Sequence, residues 1–407
     1  MSNREKPKRI SFKASSGRIS LLLQKKDLLC LWALFSSAFT LRIFHISKLK
    51  TPILDEYYYC QQLVNLSLHN ISRPIIGDLI LLTPIKIFYS DSLKSTVSNA
   101  TNTFEIFPAY MWIKYFNIFI SALIPPLITA SLRLNGCPIF ISMLSGFFIV
   151  FEFCNILRSR LVCADSLFNF VVALSLFLNS LINYNISDSL VFITTFICAF
   201  SSVIDYSGLV LLILFISDLI ISKKKEYKMV FTFISFVVIL NIIDLCLETF
   251  FIKNESFGHL LIQKINVLFC FKCKRHRLYA FPLWKFIPRL VWERPNQKIY
   301  LMNHPIVTLF SSLFCGIGIL SKKSINYFIS IFIIWILKRP TNCIDYQIPF
   351  FFSVYSIAQY LQNWPMRNLF AFLILVLLTV VFSIWAPWIY GFKISPYIES
   401  SINFWKS

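Results

Sequence analysis

The stretch Lys223–Phe251, KKKEYKMVFTFISFVVILNIIDLCLETFF, decides the fold class. Three consecutive lysines precede a long, mostly apolar run from Met229 to Phe251. A helix needs about 20 apolar residues to cross the hydrocarbon core of a bilayer, and basic residues mark the side on which a connection stays. The run therefore reads as a span and the lysines as its inner anchor. Working outward, similar runs at 28–45, 110–131, 138–155, 167–183, 188–204, 207–221, 302–320, 325–337, 347–361 and 368–391 bring the candidate spans to eleven, with 325–337 and 347–361 short.

Composition agrees. Of the 407 residues, 57% are apolar and 14% charged, and the mean hydropathy is +0.68. A soluble domain averages about half apolar and a quarter charged, so one water-facing core could not hide this surface. The alternating pattern of a membrane barrel is absent. The expectation is an all-α polytopic membrane protein of about eleven transmembrane helices.

Lys and Arg number 39 against 19 Asp and Glu, a formal net charge of +20. In a soluble chain that balance would suggest nucleic acid. Here many basic residues occupy short connections between apolar runs, which membrane topology explains, and no nucleic acid partner is expected. With the N-terminus inside, segments 1–27, 132–137, 184–187, 222–228, 321–324 and 362–367 hold 16 basic residues in about 55, whereas the outer segments hold 21 in about 150. The expected organisation is a basic cytosolic tail (1–27), a transmembrane domain (28–391) and a C-terminal tail (392–407) on the outer side. The first span is expected to be retained, because Arg42 and Phe44 do not resemble a small-residue cleavage site.

Two segments on the outer side are large, 46–109 and 252–301, so chemistry outside the bilayer must be built from them. Asn65, Asn70, Asn99 and Asn254 head N-x-S/T sequons there, which is compatible with a lumenal face, although Asn185 heads another on the inner side. The eleven Cys are scattered and mostly in or beside apolar runs, as buried free thiols are. Cys270 and Cys273 form one CxxC with His276 close behind, but no second pair completes a zinc site. No metal and no cofactor enter the reading.

Within the first large segment, Asp55-Glu56 stands ten residues beyond the first span, with Arg42 thirteen residues earlier and Tyr57, Tyr58 and Tyr59 following. Adjacent carboxylates can simply be solvated. Held near an apolar wall, one of them can serve as a general base, because burial moves its pKa toward the working range. Arg73-Pro74-Ile75-Ile76-Gly77-Asp78 and the apolar residues after it suggest an amphipathic helix lying in the plane of the outer surface, too short to span. Between the third and fourth spans, Arg160 and Asp165 either pair with each other at the boundary or act together, Arg160 binding an anionic headgroup and Asp165 orienting it. Asp205 faces the same side. The second large segment holds ten basic and two acidic residues, including Lys285, Arg289 and Arg294, interleaved with Tyr279, Trp284 and Trp292. A phosphate near the membrane surface accounts for such a patch on the outer side.

In order and spacing, these segments resemble the dolichyl-phosphate-mannose protein O-mannosyltransferases. Arg42 and Asp55-Glu56 come first, then Arg73-Pro74-Ile75-Ile76-Gly77, Ser159-Arg160 with Asp165-Ser166, Tyr279-Ala280-Phe281-Pro282-Leu283 and Asn303-His304-Pro305-Ile306-Val307. The resemblance covers nearly the whole chain, although no single motif is highly specific. It implies a GT-C type membrane glycosyltransferase of the endoplasmic reticulum with a lumenal active site, metal-independent and inverting. By that resemblance Asp55 is the catalytic base, Glu56 binds or supports the acceptor, and Arg42, Arg160, Arg289 and Arg294 serve the lipid-linked donor, with Arg73 and Asp165 in support. The implied partners are dolichyl phosphate mannose, Ser/Thr-containing acceptor proteins, the lipid bilayer and a paralogue in a homo- or heterodimer.

The chain also departs from that family. Segment 252–301 leaves no room for the β-trefoil domain that many members insert there. Lys114 stands where the family has Arg, Arg73 replaces His, Ile204 and Asp205 replace a Lys, and Leu369-Phe370-Ala371-Phe372 lacks a usual His. Rival readings are another polyprenyl-phosphate-sugar glycosyltransferase, a catalytically silent subunit partnering an active paralogue and, more remotely, a transporter.

Overall fold

In the computed structural model the described residues are 24–46, 74–84, 87, 108–182, 187–221, 226–251, 256–269, 292–293, 300–301, 329 and 347–390. The helices are α1 (Lys25–Ile43), α2 (Ile75–Pro84), α3 (Pro108–Ala122), α4 (Ile124–Leu134), α5 (Ile139–Val150), α6 (Phe153–Ser159), α7 (Asp165–Ile182), α8 (Asp188–Phe200), α9 (Leu212–Ile221), α10 (Glu226–Phe251), α11 (Phe257–Phe269), α12 (Gln347–Leu361) and α13 (Arg367–Ile389). Two short 3-10 turns, Ser201–Val203 and Tyr206–Leu211, join α8 to α9. The described residues add one antiparallel pair of two-residue strands, Trp292↔Leu301 and Glu293↔Tyr300.

The chain is an all-α polytopic membrane protein. Four stretches are long and apolar enough to cross a bilayer, Met111–Leu134, Asp165–Ile182, Lys228–Phe251 and Arg367–Ile384, and α5 with α6 makes a fifth if that bent pair is one span. Each run read from the sequence has a helical counterpart except 302–320 and 325–337, which lie outside the described residues apart from Ile329. A short helix, α2, follows Arg73, where one is expected from the sequence. The run 138–155 reads as one span in the sequence, yet α5 and α6 meet at 54° across Phe151-Glu152.

The spans differ in what surrounds them. Those formed by α3–α4 and by α7 are largely enclosed, whereas α10 and α13 turn Phe231, Val238, Ile242, Leu373, Val376 and Val380 outward. In water such faces would drive association; against lipid tails they are matched. What holds the enclosed helices together is close approach and polar contact, as in other membrane bundles. At Gly146 of α5 a Cβ would run into Thr129 Oγ1 of α4 and Leu34 Cδ1 of α1, so the glycine lets these three helices approach without displacing either side chain. Asp27 accepts from the Gln24 amide at 2.9 Å and from Arg133 Nε at 2.7 Å, tying the start of α1 to the end of α4. Tyr355 of α12 donates to Ser131 of α4, which also shares a short hydrogen bond with Ser180 of α7.

Candidate functional site

The site is built where α1 ends. Arg42, in the last turn of α1, is fully buried. Its Nε donates to Ser121 Oγ at 2.9 Å, Nη1 to the Ala38 carbonyl at 3.1 Å and Nη2 to the Ile149 carbonyl at 3.5 Å. One guanidinium thus ties α1 to α3 and to the last turn of α5, just before the bend. Ser121 belongs to a polar stripe on α3: Lys114, Asn117 and Ser121 are spaced three and four apart, which puts them on one helix face. All three are buried. Asn117 Nδ2 donates to the carbonyls of Leu161 and Cys163, at 2.8 and 3.0 Å, so the stripe faces the α6–α7 connection.

That connection carries Arg160. Beyond α1 the backbone turns through a left-handed His45, φ 52°, a conformation uncommon outside glycine, though His adopts it more often than most. Arg160 Nη2 donates to the carbonyls of Phe44, at 3.1 Å, and His45, at 3.0 Å, fixing this turn. The guanidinium carbon lies 4.8 Å from the centre of the Tyr390 ring, and Tyr390 donates to the Leu41 carbonyl at 2.6 Å. Cation, ring and carbonyls therefore lock the ends of α1 and α13 to the α6–α7 connection. Burial pulls Arg160 down to about 10, opposed by Tyr390, which still leaves it charged at neutral pH.

Asp165 pairs with Arg158, Nη1 to Oδ2 3.2 Å, with both side chains buried. Arg158, which has no role in the sequence reading, is thus a partner of Asp165. Asp165 also opens α7, where a carboxylate is favoured by the helix dipole. Beside the pair, Asn169 Nδ2 donates to Asn155 Oδ1 at 3.0 Å. Asn155 Nδ2, Asn169 Oδ1 and Asn117 Oδ1 are buried with no hydrogen-bond partner. Buried amide atoms are nearly always satisfied, so three around one connection mark a place with polar capacity to spare.

Of the expected site residues, Arg42, Arg160 and Asp165 fall in this corner, joined by Lys114. Asp55, Glu56, Arg73, Arg289 and Arg294 lie outside the described residues. Asp205 is spent locally: it accepts from the Ser207 amide at 2.8 Å and the Ser207 hydroxyl at 2.7 Å, capping the 3-10 turn that follows. Phe372 is exposed on the outward face of α13. Among the described residues, no three His, Cys, Asp or Glu side chains gather where an ion could be held. Arg158, Asn117 and Tyr390 had no assigned role; the Arg158-Ser-Arg160 doublet was the one signal that a second arginine was available.

No family model matches the chain, and no curated protein does. Among solved structures it is similar to the S. cerevisiae protein O-mannosyltransferase Pmt1-Pmt2 complex bound to the sugar donor, with 17% identity and a TM-score of 0.43. The match covers 61% of this chain and 36% of that one, so this chain spans about a third of the length of its structural neighbour.

Proposed function

We propose that the protein is an inverting glycosyltransferase that moves mannose from dolichyl phosphate mannose to Ser and Thr hydroxyls of proteins at the lumenal face of the endoplasmic reticulum membrane. The observation that carries this reading is the buried cationic corner, in which Arg42, Lys114, Arg158 and Arg160 surround the α6–α7 connection. Preorganised cations in a water-poor site are suited to charge that develops on a departing phosphate. The segment bearing Asp55 and Glu56 begins directly after the turn that Arg160 holds.

In the proposed reaction the acceptor oxygen attacks the anomeric carbon from the face opposite the phosphate. The new glycosidic bond forms as the anomeric carbon–phosphate oxygen bond breaks, and Asp55 takes the hydroxyl proton. Dolichyl phosphate leaves with the bonding electrons, its charge met by the basic corner and by Arg289 and Arg294. Holding lipid donor and acceptor together supplies much of the remaining rate enhancement.

The test is transfer of labelled mannose from dolichyl phosphate mannose to a Ser/Thr peptide by the purified protein in nanodiscs. Transfer that depends on Asp55 supports the reading. Donor binding without transfer would favour the silent subunit, and transfer to a lipid or glycan acceptor alone would favour the other polyprenyl-phosphate enzyme.

A further inference from the structure

A second buried charged cluster lies at the other end of the segment that starts at His45. Asp244 and Glu248 stand one turn apart on α10, both fully buried. Lys264 of α11 reaches both, Nζ lying 2.5 Å from Asp244 Oδ2 and 2.6 Å from Glu248 Oε2. The orientation of α11 is unusual for a helix in water: Leu260 and Lys264 face inward, whereas Leu261, Ile262 and Ile265 are exposed. The lysine is therefore held by its carboxylates and does not simply snorkel to water.

Asp244 has a third partner. Its Oδ1 accepts from the backbone N–H of Ile76 at 3.0 Å, 168 residues away in sequence. Ile76 is in the first turn of α2, whose amides have no partner within the helix. A carboxylate there does the work of an N-cap and answers the helix dipole, but it comes from another helix. α2 is also pressed against the α8–α9 connection: a Cβ at Gly77 would lie 3.1 Å from Ile204 Cγ2 and 3.2 Å from Ile204 Cα. Ile75 and Leu82 are fully buried and Asp78 nearly so. Buried ion pairs are often no more stabilising than apolar packing of the same shape, and their best-attested use is to fix one arrangement among several.

We propose that Asp244 is a positioning residue: ion-paired to Lys264, it caps α2 from a neighbouring helix and sets where the segment carrying Asp55, Glu56 and Arg73 rejoins the bundle. The same carboxylate docks α11, the first helix of the second large segment, so both segments hang on one side chain. The cap stands on the geometry alone; its consequence for transfer rests on the reaction proposed above.

The test combines hydrogen exchange over residues 75–82 with transfer kinetics, both on the full chain in nanodiscs. Asp244→Ala should raise exchange in the first turns of α2 by roughly tenfold, the scale of a lost cap. It should lower kcat by about as much while leaving the donor KM within about twofold, a split that a merely destabilised enzyme would not show. Asp244→Asn keeps an acceptor for the Ile76 amide and should recover part of both losses. If Asp244→Ala does not fold, Asp244→Leu combined with Lys264→Gln removes the acceptor and the buried cation together and gives the same two readouts. Unchanged exchange in a folded variant overturns the cap, and raised exchange with unchanged kcat overturns the positioning role. A wild-type protein with no transfer at all would refute the proposed reaction, and the exchange result would still decide the cap.

Discussion

Two buried charged corners bracket residues 46–75, and they hold the chain with opposite chemistry. At the Arg160 corner a cation donates to the carbonyls of Phe44 and His45; at the Asp244 corner an anion accepts from the Ile76 amide. The second corner matches its Lys264 with two carboxylates and a helix N-terminus. The first gathers four basic residues against the buried carboxylates Asp165 and Glu152. A corner whose one cation is matched by two carboxylates suits fastening. A corner in which basic residues outnumber acidic ones suits an anionic ligand.

The largest effect that would sharpen this contrast comes from Arg158→Ala. It removes from Asp165 the cation of a buried ion pair, and breaking a buried pair from one side costs about 3–5 kcal/mol. The expected outcome is a steep fall in thermal stability, and a fall below about 1 kcal/mol would show that Asp165 has other support. Arg160→Ala should act on the ligand instead, weakening donor binding by roughly tenfold or more in molecules that remain folded, because a desolvated phosphate loses a charged partner. Arg160→Lys should recover only part of that, since an ammonium lacks the further planar donors of the guanidinium. Equal donor affinity for wild type and Arg160→Ala would make the first corner a fastening too, and erase the contrast.

Gly146→Ala should cost about 1–3 kcal/mol through overpacking against Thr129 and Leu34, read as a lowered melting temperature without a change in donor affinity. Smallest of all, Asp244→Asn should leave donor affinity unchanged, because the second corner touches the helix and not the lipid-linked sugar. A matching drop in donor affinity there would merge the two corners into one site.

The helices were legible because long apolar runs force them: α12 occupies the residues read as a short span, and α2 is the short helix expected after Arg73. The bend between α5 and α6 was not legible, since neither Gly nor Pro marks Phe151-Glu152. Side-chain partners were harder still. Arg158 and Arg160 are two residues apart, and that Arg158 reaches Asp165 depends on how α6 ends, a detail below the reach of spacing. Asp244 and Glu248 did carry a signal, because ionisable residues inside a membrane run are functional candidates by default. Their partners, Lys264 and the Ile76 amide, are set by tertiary packing alone.

The central claim is that this protein transfers a sugar using a base just beyond the first helix and a phosphate site in the Arg160 corner. It is tested most directly by mannose transfer from dolichyl phosphate mannose to a Ser/Thr peptide, comparing wild type with Asp55→Asn in the same nanodiscs. Wild type should transfer mannose and removal of the base should cost at least roughly 100-fold, with both proteins equally abundant in the membrane. Near-normal turnover by Asp55→Asn, or no transfer by either protein, would contradict it.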